Sequence, residues 1–74
     1  SIELIEMASL SPKRFTSLMS NLNISYNVAK ELINRLIKKD LLEETFLNNN
    51  RYYVATESAI RLLEDYKRFK ESLG

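Results

Sequence analysis

The chain has no cysteine and no histidine among its 74 residues, and its one glycine is the terminal Gly74. Without cysteine there are no disulfides and no thiolate chemistry, a usage that fits a cytosolic protein. Without either residue, a transition-metal site would have to be all oxygen, and the usual nucleophile–base triads are impossible. A chain whose only glycine is its last residue has no Gly-rich loop to cradle a phosphate. No apolar run approaches the ~18 residues of a membrane span, and no signal peptide is visible. Carboxylates are present, but nothing pairs them in a recognisable catalytic arrangement. The chain therefore reads as a non-enzyme with no cofactor, no metal and no evident small-molecule ligand. It opens abruptly inside what reads as a helix, so a trimmed chain and targeting signals outside it both stay open.

What is present is a hydrophobic fraction of 45%, enough for one small globular domain over residues 1–74. A domain of this size buries a modest core and often gains stability from a partner. The net charge of +1 says little, but its distribution says more. Between residues 13 and 39 lie Lys13, Arg14, Lys30, Arg35, Lys38 and Lys39 against a single acid, Glu31. The flanking stretches are acidic, with Glu3 and Glu6 before, and Asp40, Glu43 and Glu44 after. Such a cluster is either a solvated helical surface or a basic face aimed at phosphate.

Apolar spacing predicts a first helix over residues 2–10. Ser11 is a good N-cap and Pro12 suits the first helical position, so a second helix is expected over residues 12–21. Phe15, Leu18, Met19 and Leu22 mark its apolar side, and the asparagines at 21 and 23 interrupt it. Ser25 can cap a third helix over residues 25–39, with Ala29, Leu32, Ile33 and Leu36 on one face. Asn27, Lys30, Glu31, Asn34 and Lys38 form a polar stripe nearly opposite, with Arg35 and Lys39 on its rim and Tyr26 near the start. Two short helices joined by so tight a turn have the spacing of a helix-turn-helix. Next, "LLEETFL" and "RYYVAT" flank an asparagine run that tolerates positive φ, which predicts a β-hairpin over residues 42–55. Thr56 then caps a last helix over residues 57–73. In it Ala59, Leu62, Tyr66, Phe69 and Leu73 step by threes and fours as a coiled-coil seam, with Ile60 and Leu63 beside it and able to face the core. That seam can pack on the first helix of the same chain or on a second copy.

Helix, helix-turn-helix, hairpin, helix is the order of a winged-helix domain, an α+β fold that is mostly α. The stretch "SPKRFTSLMSNLNISYNVAKELINRLIKKDLLEE" is similar to the helix-turn-helix of small archaeal winged-helix DNA-binding proteins, and "RYYVATESAIRLLEDYKRF" resembles their wing strand and final helix. Similar winged helices occur in plasmid-partition adaptors and in dimeric repressors of the PadR type. The chain departs from that pattern at Asp40 and Ala59, where glycine is usual, and at Ala55, where a larger aliphatic is common.

The resemblance implies double-stranded DNA as a partner, a transcriptional, chromatin or partition role, and a cytoplasmic, nucleoid-associated location. Carried onto this sequence, it makes residues 25–39 the recognition helix in the major groove. Ser25, Tyr26, Asn27, Lys30 and Asn34 would then reach base edges or nearby phosphates, and Arg35 and Lys38 would bind phosphate. Lys13 and Arg14 would meet the backbone near the start of the second helix. Asn49, Asn50 and Arg51 at the wing tip would lie on the backbone or in a minor groove. In that group the last helix commonly forms a dimer, here through Leu62, Tyr66, Phe69 and Leu73. The alternative is a winged helix that binds proteins and not DNA, which the near-neutral charge permits.

Overall fold

The computed structural model describes residues 2–74 as four helices and one antiparallel hairpin. They run α1 (Ile2–Leu10), α2 (Phe15–Leu22), α3 (Tyr26–Lys38), β1 (Leu42–Leu47), β2 (Asn50–Ala55) and α4 (Glu57–Leu73). The elements meet on one apolar core. Helix α1 supplies Leu4, Ile5 and Ala8, α2 supplies Leu18, and α3 supplies Ile33 and Leu36. The hairpin adds Leu42 and Tyr53, and α4 adds Ala59 and Leu63. Helices α1, α3 and α4 contribute residues at three- or four-residue spacing because only one stripe of a helix can face a common centre.

The turn between α2 and α3 is made by Asn23 in the left-handed region, at φ 54°. Its N–H bonds the Ser20 carbonyl at 3.2 Å, and the Ile24 N–H bonds the Met19 carbonyl at 3.1 Å. This pair of bonds closes the end of α2, and asparagine is among the few side chains that accept the conformation. The end of α3 repeats the device with Asp40 at φ 59°. There the Leu41 N–H reaches the Leu36 carbonyl at 2.9 Å, and the Asp40 N–H reaches that of Ile37 at 3.0 Å. The absent glycine thus leaves the turn intact and puts a β-carbon where the backbone disfavours one.

Helix α2 differs from the sequence expectation. It begins at Phe15, with Arg14 at the N-cap position and no side-chain cap, so Ser11 is not its cap and Pro12 is not in its first turn. The reason is tertiary. Lys13 is extended and forms an isolated antiparallel bridge with Tyr53. Its N–H bonds the Tyr53 carbonyl at 3.0 Å, and the Tyr53 N–H returns to the Lys13 carbonyl at 2.7 Å. Two backbone bonds to the wing outweigh one more helical turn.

In the hairpin, Leu42 pairs with Ala55 and Leu47 with Asn50. Asn48 and Asn49 make the turn at φ 51° and 65°. Positive φ at both central residues is the signature of a type I′ turn, whose twist matches that of the strands. Thr56 ties the wing to α4. Its hydroxyl accepts the Ala59 N–H at 3.2 Å and donates to the Asp40 carbonyl at 2.6 Å.

The seam expected on α4 is also revised. Ala59 is fully buried in the chain's own core and takes no part in an outer stripe, and Ile60, expected to be able to face the core, is exposed. Leu62, Tyr66, Phe69 and Leu73 are all exposed, so α1 does not cover them.

Candidate nucleic-acid interface

Helix α3 is held by its apolar side and bare on the other. Ala29, Ile33 and Leu36 are buried, while Asn27, Lys30, Glu31, Asn34, Arg35 and Lys38 are exposed. The Ser25 hydroxyl is already engaged, accepting the Val28 N–H as the helix cap at 3.4 Å. Its first role is therefore to fix where α3 starts, and so which residues the helix presents.

Two of the exposed cations are held by acids. Arg35 pairs with Glu31 at 3.0 Å one turn away, and Arg51 on the wing pairs with Glu44 at 3.6 Å. Both pairs are solvent-exposed and worth less than about 1 kcal/mol, so a phosphate can displace either acid. The Lys30 ammonium lies 6.0 Å from the centre of the Tyr26 ring. Tyr26 in turn leans on Phe15, with ring centroids 5.2 Å apart. The ring thus links the start of α3 to the start of α2, with the Lys30 ammonium over its face.

Between α3 and the wing lies an open hollow of about 330 Å³. Tyr26, Lys30 and Asn34 line it from α3, and Glu44, Arg51 and Tyr53 from the wing. The tertiary structure therefore brings Arg51 to the surface that carries Tyr26, Lys30 and Asn34. Asn27, Arg35 and Lys38 continue the face of α3 away from the hollow. Lys13 stands apart: its backbone belongs to the bridge with the wing, and its ammonium bonds the Ser11 hydroxyl at 2.6 Å. Arg14 is exposed, and its guanidinium lies 5.6 Å from the centre of the Tyr52 ring on the wing. Asn49 occupies the hairpin turn, and Asn50 opens β2 opposite Leu47.

Sequence reasoning missed Phe15, Glu44 and Tyr53 as parts of this surface. The hairpin register holds a signal for two of them, because Glu44 and Tyr53 pair directly and so share a face. It also missed Val28, which is half exposed beside Glu31 and Arg35. Among the described residues, no cluster of three or more acidic, His or Cys side chains could hold a metal ion. Among the same residues, no helix is long and apolar enough to cross a membrane.

A helix-turn-helix with an exposed polar second helix, followed by a hairpin beside it and a closing helix, defines the winged-helix class. The winged helix-turn-helix family profile matches residues 1–73, and the chain belongs to that family. Among solved structures it is similar to the adhesin competence repressor AdcR of Streptococcus pyogenes, with 23% identity and a TM-score of 0.81 over 97% of this chain and 55% of that one. It is also similar to a glutamate-to-alanine mutant of Lactococcus lactis ZitR, with 13% identity and a TM-score of 0.81 over 97% of this chain and 51% of that one. A cysteine-to-serine mutant of ZitR gives the same score of 0.81 at 14% identity, over 96% of this chain and 51% of the other. At these identities the likeness is one of fold, and the chain spans about half the length of each. No curated protein matches the sequence.

Proposed function

We propose that this chain is a double-stranded DNA-binding domain that works as a dimeric transcription regulator. The observation that carries the reading is the bare face of α3, where Asn27, Lys30, Asn34 and Lys38 are exposed while the opposite face anchors in the core. A helix about 10–12 Å across fits the major groove. Asparagine can bond adenine through two atoms, and lysine can reach guanine or phosphate. With α3 in the groove, the wing on its flank would deliver Arg51 to the backbone or the next minor groove. Ser25 and Tyr26 stand at the end of α3 that leads into the groove, and Lys13 and Arg14 would meet phosphate beside it.

Dimerisation would run through α4. Leu62, Tyr66, Phe69 and Leu73 fall within about 60° of one another around the helix axis, and Phe69 and Leu73 are 63% and 74% exposed. A stripe of large apolar side chains left bare in this way is suited to a second copy. A two-fold axis would set two recognition helices at successive major grooves, about 34 Å apart. The carboxylates of Glu31 and Glu44 on the same surface favour a second reading, in which the face docks a protein instead.

The test is fluorescence anisotropy with labelled duplexes, one of random sequence and one selected from a pool by the protein, across a salt series. Binding held by phosphate contacts weakens with salt at a slope of about −0.9 per contact. Lys30→Glu with Lys38→Glu is expected to remove about two contacts per protomer, flattening that slope and weakening binding at least tenfold. A selected duplex bound on the order of 10³-fold tighter than random identifies a site-specific regulator. Equal binding to all duplexes identifies a chromatin-type coat. No binding at low salt refutes the DNA reading and turns the same face to a protein partner. Binding unchanged by the double substitution removes α3 as the reader.

A further inference from the structure

The wing carries a feature that phosphate contacts alone do not use. Its base is anchored on both faces, by Tyr53 in the core and by Arg14 over Tyr52. Beyond Leu42, no residue of β1 is buried. From there to Leu47 the strand runs on for about 17 Å. At its far end stand two large apolar side chains on opposite faces, because neighbours in a strand alternate. Phe46 is 62% exposed and sits opposite Arg51, and Leu47 is 46% exposed and sits opposite Asn50. Between Thr45 and Tyr52 the only charge is Arg51, while the acids Glu43 and Glu44 lie towards the base. The Arg51 guanidinium rests 5.6 Å from the centre of the Phe46 ring.

We propose that the wing tip is an apolar wedge that enters the minor groove and partly unstacks one base step with Phe46, so that the protein bends its DNA. The inference rests on the DNA-binding reading and adds an activity to it. Two observations select DNA as the occupant. From Thr45 to Tyr52 the tip carries Arg51 and no acid, so once the guanidinium leaves Glu44 its charge suits a groove of strong negative potential. A bare aromatic ring beside an arginine can insert between bases while the guanidinium turns from Glu44 to the flanking phosphate, and apolar wedges of this kind kink the duplex by about 20–90°. Leu47, on the other face of the tip, would pack on the adjoining sugar. Pyrimidine–purine steps unstack most easily, so selected sites should hold TA or CA at the wing position.

The experiment is end-to-end energy transfer on the pool-selected duplex of about 30 base pairs, with wild-type protein, Phe46→Ala and Phe46→Leu, each read beside anisotropy. An exposed side chain can be truncated without loss of fold, and circular dichroism checks this. The wild type should shorten the end-to-end distance by an amount matching a bend of at least about 20°. Phe46→Ala should lose most of that shortening while affinity falls less than tenfold, and Phe46→Leu, which keeps an apolar wedge, should retain part of it. Binding without bending refutes the wedge and leaves the DNA reading standing, as does bending that Phe46→Ala leaves unchanged. No binding by the wild type refutes both. Sedimentation provides a last check: if Phe46→Ala lowers the wild-type mass, the tip is a contact between copies and the wedge is wrong.

Discussion

Replacing Thr56 by valine keeps the shape of the side chain and deletes one hydroxyl. That hydroxyl does two jobs at once. It accepts the Ala59 N–H at 3.2 Å as the cap of α4 and donates to the Asp40 carbonyl at 2.6 Å at the end of α3. Thr56 is 9% exposed, so water has little access to the capping bond, while the bond to Asp40 is part-buried. Loss of a cap of this type costs about 1 kcal/mol. The carbonyl left without its donor adds about 1–2 kcal/mol. The sum is about 2.5 kcal/mol, which for a domain of this length lowers the melting temperature by about 10–20 °C. Thr56→Ser keeps both bonds and gives up one methyl, at about 0.8 kcal/mol. Thermal unfolding followed by circular dichroism, at one fixed protein concentration because any self-association would add a concentration-dependent term, separates the two. If valine and serine destabilise equally, or if valine costs under about 0.5 kcal/mol, the hydroxyl does not link α3 to α4 and the reasoning fails.

Other substitutions test other parts of the structure. Asp40→Gly should raise stability by about 0.5–1 kcal/mol in urea titration, because it relieves a left-handed backbone and removes a negative charge from the C-terminal end of α3. A loss of stability would mean that the aspartate side chain holds the turn. Glu31→Gln should release Arg35 from its 3.0 Å ion pair, tighten DNA binding and steepen the salt slope by up to about 0.9 per protomer. An unchanged slope would place Arg35 away from phosphate. Phe69→Glu should reduce the sedimenting mass to that of one chain, and a wild-type mass would remove α4 as the dimer contact.

Much of the fold was legible in the chain itself because local rules agree with one another. The three-and-four spacing of Ala29, Ile33 and Leu36 places one face of α3 inside, and the same period leaves Asn27, Lys30 and Asn34 outside. Ser25 and Thr56 start α3 and α4 through bonds that span only three residues. Asn48 and Asn49 turn the hairpin because asparagine tolerates positive φ. Each of these signals acts over a few residues, so a linear reading can find it.

The start of α2 was not legible for the opposite reason. Ser11 and Pro12 are good local signals for a helix, and a strand bridge from distant Tyr53 overrides them. The assembly of the candidate surface depends on the same kind of long-range pairing. Sequence alone determined the polar stripe of α3, the apolar seam of α4 and the order of the elements, since periodicity and capping are written into neighbouring residues. Only the tertiary structure set Arg51 beside Lys30 and Asn34 across one hollow, engaged Arg51 with Glu44, buried Ala59 and left Phe46 bare at the end of the wing. Those outcomes depend on which strand lies next to which helix, and that is decided by packing Leu18, Leu42 and Tyr53 into one core with α1 and α4.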